Sequence, residues 1–264
     1  MKLSGVLLMA CCLSGLFAPK VSAYTFSPQI VTLSPAGSGA SRVYRLENGG
    51  ERPVAVEISI NPYRKNPDGQ PVDVNEDVSG DFLIYPSQIV LMPRDKRLVQ
   101  ITWIGPPDLS EERAYHVNAR EVPIPIEDGK DEDPPKGASI EITILTNYQG
   151  ILYVTPGKAE PRVVVDSVAV DEKDGARSLV VTCVNRGGCH VSMEAYRLAI
   201  TPRDPSGKPI PGQTVVLGRG DYKFLATNVL AGGTRRFVIP WPAGLPASPV
   251  EVAVVPPPEK TDTE

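Results

Sequence analysis

The clearest pattern in this chain is an alternation of apolar and polar residues with a period of two. Every second residue of Pro53–Ile60 is valine or isoleucine, and Arg113–Val122 repeats the alternation with Tyr115, Val117 and Ala119. Such alternation is typical of β-strands that bury one face. Clusters of Gly, Pro, Asn and Asp separate the runs, as turns separate strands in all-β proteins. The pattern therefore predicts an all-β fold.

The strand-like runs fall into two series, which predicts two immunoglobulin-like β-sandwich domains in tandem. The first domain is predicted over residues 24–155 and the second over residues 162–255, with residues 156–161 as a linker. A chain of 264 residues is long enough for two domains of ordinary size. Residues 256–264 contain only proline, charged residues and threonine, which predicts a disordered tail.

Residues 1–23 have the features of a secretory signal peptide. Met1-Lys2 is basic, Leu3–Phe17 is largely apolar, and Val21-Ser22-Ala23 supplies small residues before a cleavage site. The apolar run is too short for a comfortable membrane span. We expect cleavage after Ala23. A lipoprotein signal with Cys11 as the acylated residue is a second interpretation, and the protein is exported in either case.

Charge and motifs exclude several classes of function. Lys2 and Lys20 are the basic residues of the signal, so the mature chain has 25 basic and 31 acidic residues and a net charge of −6. This balance gives no reason to expect nucleic acid or anionic lipid as a partner. His116 and His190 fall in different domains, and neither has a nucleophile motif beside it. We expect no enzyme activity, no cofactor, no metal and no small-molecule substrate.

Two cysteines, Cys183 and Cys189, remain after signal cleavage, and they flank the turn-like segment Asn185–Gly188. In an exported protein, two cysteines across a tight hairpin predict a disulfide. A zinc site that adds His190 would lack a fourth ligand.

The segment Gly137–Thr146 carries the most distinctive alternation. Ile140, Ile142 and Ile144 alternate with polar residues, directly after a charged segment that is broken by prolines. One interpretation is an ordinary strand that packs on its own core. The other is an edge strand that offers its isoleucines to another protein. The pattern alone leaves both open.

Three segments carry a resemblance to a known family. Phe82–Pro93, Tyr115–Pro123 and Ile151–Pro156 resemble the periplasmic pilus chaperones of the chaperone–usher pathway. The resemblance covers Phe26–Pro156, and extends to the second domain only in architecture. It implies a periplasmic location, with pilus or fibre subunits and an outer-membrane usher as partners. It also implies that the strand Ile140–Thr146 is inserted into a subunit that lacks its own last strand.

The resemblance assigns the donor role to four residues: Ile140, Ile142, Ile144 and Thr146. Members of the family hold the terminal carboxylate of the subunit with an arginine on the first strand and a lysine after the donor residues. The matching positions here, Gln29–Thr32 and Ile151, contain no basic residue.

Tyr148 and Gln149 are the nearest polar candidates for this carboxylate anchor. The chain also lacks the cysteine pair that long-loop members carry, so we expect a divergent member. The alternative is an exported immunoglobulin-like structural subunit or adhesin of a surface fibre. Such a subunit would need an incomplete domain and a free N-terminal extension, whereas the sequence predicts two complete domains.

Overall fold

The computed structural model describes residues 24–123, 144–221 and 227–257, so the predicted signal peptide and most of the predicted tail lie outside the described residues. Nearly all regular structure in these ranges is β-strand, and no helix in them is long and apolar enough to cross a membrane. Short 3-10 turns lie at Gly37–Ala40, Ser79–Asp81 and Met193–Ala195. The predicted all-β class is confirmed.

The first domain is a sandwich of two sheets. Its strands are β1 (Tyr24–Ser27), β2 (Ile30–Leu33), β3 (Ser41–Asn48), β4 (Val54–Pro62), β5 (Arg64–Lys65), β6 (Pro71–Val72), β7 (Phe82–Tyr85), β8 (Gln88–Leu91), β9 (Lys96–Trp103), β10 (Arg113–Val122) and β11 (Asn147–Val154). One sheet has the order β1-β3-β9-β7 and the other the order β2-β11-β10-β4-β8, while β5 and β6 form a separate hairpin.

The first strand passes from one sheet to the other at Pro28. Before it, β1 pairs antiparallel with β3; after it, β2 pairs parallel with β11. Proline has no N–H to donate, so it interrupts a ladder and is tolerated at a sheet edge. Both halves lie at the edge of their sheets, as the position of Pro28 predicts.

The core of this domain follows from the alternation. On β4 the side chains of Val54, Val56 and Ile58 are almost fully buried. These even-numbered residues face the other sheet. Residues of β9 and β10 complete the same cluster from both sheets. Burial of a branched aliphatic or aromatic side chain contributes about 1.5–3 kcal/mol, so this shared face is what holds the two sheets together.

The second domain has the same architecture in smaller form. Its strands are β12 (Val163–Lys173), β13 (Ala176–Asn185), β14 (Val191–Ser192), β15 (Arg197–Pro202), β16 (Val215–Leu217), β17 (Asn228–Val229), β18 (Thr234–Pro240) and β19 (Val250–Val255). They form the sheets β12-β13-β18 and β16-β15-β19 and a short pair, β14-β17. A separate core, which includes Leu179, Ile200 and Phe237, joins them.

The two domains touch along the outer face of the five-stranded sheet. A small cluster there joins Tyr63, Ala114 and Tyr153 of the first domain to Leu230 of the second, with Ile151 packed against it. The end of β11 that is nearer the linker is therefore buried between the domains.

Candidate functional site

The strand β11 has one partner along its whole length and a second along only half of it. On one side it pairs with β10 from Asn147 to Val154. On the other side β2 pairs only with the half from Ile151 to Val154. Within the described residues, the half from Asn147 to Gly150 therefore has an open edge. Open edges present unpaired backbone groups that can accept a further strand.

Thr146 joins this edge to the segment that precedes it. The Glu121 N–H donates to the Thr146 carbonyl at 2.9 Å, and the Thr146 N–H donates to Glu121 Oε2 at 3.1 Å. The Tyr24 hydroxyl reaches the same carbonyl at 3.4 Å. Thr146 is thus bound on the β10 side, although it precedes the strand.

The structure describes only part of the predicted donor segment. Ile140 and Ile142 lie outside the described residues. Ile144 is 73% exposed and Leu145 is 46% exposed, and neither belongs to a strand. The prediction of a regular strand through Thr146 is wrong for residues 144–146, because the described ladder with β10 begins at Asn147.

The two predicted anchor residues lie on opposite faces of β11. Tyr148 faces the core, where its ring packs edge-on against Tyr24 with centroids 4.9 Å apart. Gln149 faces outward, and its Nε2 donates to Asn118 Oδ1 at 3.0 Å. Successive side chains of a strand point to opposite faces. Of the two predicted anchor residues, Gln149 is therefore the one on the outer face of the sheet, and the anchor role of both stays a prediction.

Ile151 occupies the position at which the resemblance implies a lysine, and Ile30 lies within Gln29–Thr32, where it implies an arginine. Ile30 and Ile151 are register partners on β2 and β11, and Ile30 is 63% exposed. His116 of β10 is the next residue in the same row. Burial lowers the pKa of His116, and the nearby Lys65 lowers it further. The row is thus apolar and uncharged where a carboxylate anchor was expected.

The basic residues of this region lie instead in the cleft between the domains, which has a volume of about 520 Å³. Its lining includes Arg64, Lys65, Arg113 and Arg235. Arg113 pairs with Asp81 at 3.5 Å. No local pattern in the sequence indicated this cleft, since its walls come from segments far apart in the chain.

Arg64 and Lys65 of β5 directly follow Tyr63, whose ring packs against His116. Lys65 Nζ lies 5.4 Å from the centroid of the Tyr63 ring, and that ring lies 4.1 Å from the ring of His116. Arg64 Nη1 donates only to backbone carbonyls, at 3.2 Å to Tyr63 and 3.4 Å to Ala114. Neither side chain has a carboxylate partner among the described residues, so both charges are available to an anion.

The predicted disulfide is absent, since Cys183 and Cys189 are both free thiols. Cys183 lies on β13 with its side chain in the core of the second domain, and burial raises its pKa to about 12. Cys189 instead points toward the linker, where its Sγ contacts the Ala159 carbonyl at 3.3 Å. The hairpin pattern predicted the turn but not these side-chain directions.

Comparisons with known proteins find similarity in structure and not in sequence. No protein-family model matches the chain, and no curated protein matches it. A chain from a chaperone–tip adhesin complex of CFA/I fimbriae biogenesis has a TM-score of 0.51 and 13% identity, with 89% of this chain and 100% of that chain covered. The class 5 fimbriae chaperone CfaA has a TM-score of 0.50 and 13% identity, with the same coverage.

Structural similarity at 13% sequence identity supports a shared fold and nothing beyond it. The resemblance in the sequence predicted two immunoglobulin-like domains of the pilus-chaperone type, and the structural neighbours have that architecture. The low identity agrees with the expected divergence. The chain therefore has the two-domain fold of the pilus chaperones of the chaperone–usher pathway, with a divergent sequence.

Proposed function

We propose that this protein is a periplasmic chaperone that binds pilus or surface-fibre subunits by donating a β-strand to them. The observation that carries the proposal is the open edge of β11 at Asn147–Gly150, which continues into the exposed Ile144. The neighbours of known structure are a fimbrial chaperone and a chain of a chaperone–tip adhesin complex, which supports the same class of function.

The donor segment would work by completing the fold of its partner. A subunit without its last strand exposes an apolar groove and unpaired backbone groups, both of which favour aggregation. Core-facing positions of β11 are even-numbered, such as Leu152 and Val154. If the strand extends toward its N-terminus on binding, Ile140, Ile142 and Ile144 are also at even-numbered positions and lie on the same face of the strand. They then enter the groove while the backbone pairs with its edges.

The stability of such a complex suits a temporary carrier. Three buried isoleucines contribute about 1.5–3 kcal/mol each, and Thr146 contributes less at a fourth position. A complex of this strength is stable but exchangeable. An outer-membrane usher can then replace the donor strand with an extension of the next subunit. Export through the signal peptide, cleaved after Ala23, would place the protein in the periplasm, and its role requires no enzyme activity.

We further propose that Arg64 and Lys65 take the role of the missing carboxylate anchor. Both line the cleft without an acidic partner among the described residues, and Lys65 lies close to His116, which shares a row with Ile30 and Ile151. A terminal carboxylate placed there would gain charge-assisted hydrogen bonds, while an apolar last side chain would pack on the two isoleucines.

Replacement of both Arg64 and Lys65 by alanine is expected to weaken subunit binding about tenfold to a hundredfold, because charge-assisted hydrogen bonds are worth roughly 1.5–3 kcal/mol. Titration calorimetry with a purified subunit measures the loss. Arg42→Ala is the control, since Arg42 is exposed on β3 and donates only to Ser41. A subunit with an amidated C-terminus should bind the parent protein as weakly as the double variant. Equal affinities for the two subunit forms would contradict this anchor.

The proposed function itself is tested by isolating the protein from the periplasm and identifying what accompanies it by mass spectrometry. We expect a small exported protein with one incomplete immunoglobulin-like domain. The alternative, in which this chain is itself a fibre subunit or adhesin, predicts recovery in high-molecular-weight fibres on the cell surface. A soluble chain that is never associated with an exported subunit would contradict the chaperone function.

A further inference from the structure

The hairpin of β5 and β6 joins the two domains at a place far from the linker. Its tip, residues Asn66–Gly69, reaches β18 of the second domain. The Arg236 N–H donates to the Pro67 carbonyl at 2.7 Å. The Arg236 guanidinium donates to Asp68 through Nε and Nη2, with distances of 2.7 and 2.9 Å to Oδ1 and 2.7 Å to Oδ2.

The backbone contact uses a sheet edge that would otherwise be open. Among the described residues β18 is the last strand of the sheet β12-β13-β18. The N–H of Arg236 points away from β13 and is satisfied by the first domain. A free donor at an edge must otherwise find water or another chain. The hairpin tip therefore occupies an edge position of the second domain.

The tip is built to hold its shape. The Gly69 N–H donates to the Asn66 carbonyl at 2.8 Å, and Asn66 Oδ1 accepts from the Gln70 N–H at 2.9 Å. Gly69 has a φ of +81°, and a Cβ at this position would lie 1.8 Å from Nη1 of Arg235. Glycine thus suits the left-handed backbone here, and an added Cβ would also displace the guanidinium of Arg235 from the tip.

An exposed ion pair alone stabilises little, and Asp68 and Arg236 are each about half exposed. Here the pair is bidentate, acts together with a backbone hydrogen bond, and sits on a rigid turn. Contacts of this kind fix an orientation as well as a distance. Pro67 of the tip and Arg235 of β18 both line the cleft, and Arg235 Nη1 donates to the Pro67 carbonyl at 3.4 Å.

We propose that the hairpin tip is a strut that fixes the angle between the two domains, so that they unfold and move as one body. The Asp68 carboxylate and the Gly69 backbone are its positioning elements. With the strut in place, the cleft keeps one width. Without it, the linker, the small apolar cluster and the hydrogen bonds of Glu112 at the junction are left to hold the domains.

The two tryptophans of the chain allow a direct test, because Trp103 lies in the first domain and Trp241 in the second. Variants Trp103→Phe and Trp241→Phe report the unfolding of one domain each. In urea titrations of each variant, we expect the midpoint followed by tryptophan fluorescence, which reports one domain, to coincide with the midpoint followed by far-UV circular dichroism, which reports both domains. Addition of Asp68→Ala or Gly69→Ala should separate the two midpoints.

Two matched controls separate the loss of the strut from the general effects of a lost charge and of backbone strain. Asp73→Ala removes the same charge from an exposed residue just after β6. Gly37→Ala imposes the same backbone strain, at a φ of +74°, with no atom within 4 Å of the added Cβ. Both should leave the midpoints coincident. Midpoints that differ already in the parent variants, or that stay coincident in Asp68→Ala and Gly69→Ala, would overturn the proposal.

A second measurement keeps the test independent of the tryptophan substitutions. Small-angle X-ray scattering of Asp68→Ala and Gly69→Ala, with both tryptophans present, should show a larger maximum dimension than the parent protein. The scattering curves of Asp73→Ala and Gly37→Ala should match the parent curve. Identical curves for all variants would also overturn the strut, since a flexible junction samples more extended arrangements.

Discussion

Ile144→Asp is expected to abolish subunit binding while the free protein stays folded. Ile144 is 73% exposed, so a carboxylate at this position remains in water in the free protein. In the proposed complex the same carboxylate would enter an apolar groove without a partner, and burial of an unpaired charge is strongly unfavourable. The variant also loses the burial of the isoleucine side chain, which is worth about 1.5–3 kcal/mol. Together these two effects should lower the affinity for the subunit by a factor of about one hundred or more.

The measurement is co-purification with the subunit, followed by calorimetry, and thermal unfolding of each free variant. Ile142→Asp should behave in the same way if Ile142 belongs to the donor segment. Val90→Asp is a suitable control, because Val90 is a 53% exposed residue on β8, at the other edge of the same sheet. Unfolding of Ile144→Asp, or an intact complex despite it, would show that the donor segment is misassigned.

The strand pattern of the fold could be read from the sequence because it is local. Alternation at Val54, Val56 and Ile58 places one face of β4 in a core whatever the rest of the chain does. The break at Pro28 predicted an edge for the same reason, since a missing N–H limits where that strand can lie. The start of β11 was less predictable. Ile144 fits the alternation, but only the pairing with β10 decides where the strand begins.

The cleft and the domain junction could not be predicted, because their contacts join residues that are far apart in the chain. Asp68 and Arg236 are separated by 168 residues, and neither stands out in composition or spacing. The same holds for the cysteines. A turn between Cys183 and Cys189 is a local feature, whereas the burial of one side chain in the core depends on the second sheet. Local patterns do not contain that information.

Glu112 is a further residue that the sequence did not single out, and it is the most buried acidic side chain at the domain junction. Its Oε1 accepts from the His190 N–H at 2.9 Å, and its Oε2 accepts from the Thr155 hydroxyl at 2.7 Å. Nδ1 of His190 lies 2.9 Å from both oxygens, and the His190 ring stacks on Tyr153 with centroids 3.8 Å apart. One carboxylate thus satisfies donors from His190 of the second domain and from Thr155 at the end of the first domain.

Glu112→Ala is therefore expected to lower the free energy of unfolding by about 2–3 kcal/mol, because it leaves several partly buried donors without an acceptor. Glu112→Gln keeps one carbonyl acceptor but turns an N–H₂ group toward donors, so its loss should be about 1–2 kcal/mol. Urea titration measures both. Glu111→Ala, which changes an exposed neighbour, should stay within about 0.5 kcal/mol of the parent protein. If Glu112→Ala were as mild as Glu111→Ala, the donors would have found water instead. The buried carboxylate would then not be what joins the domains at this point.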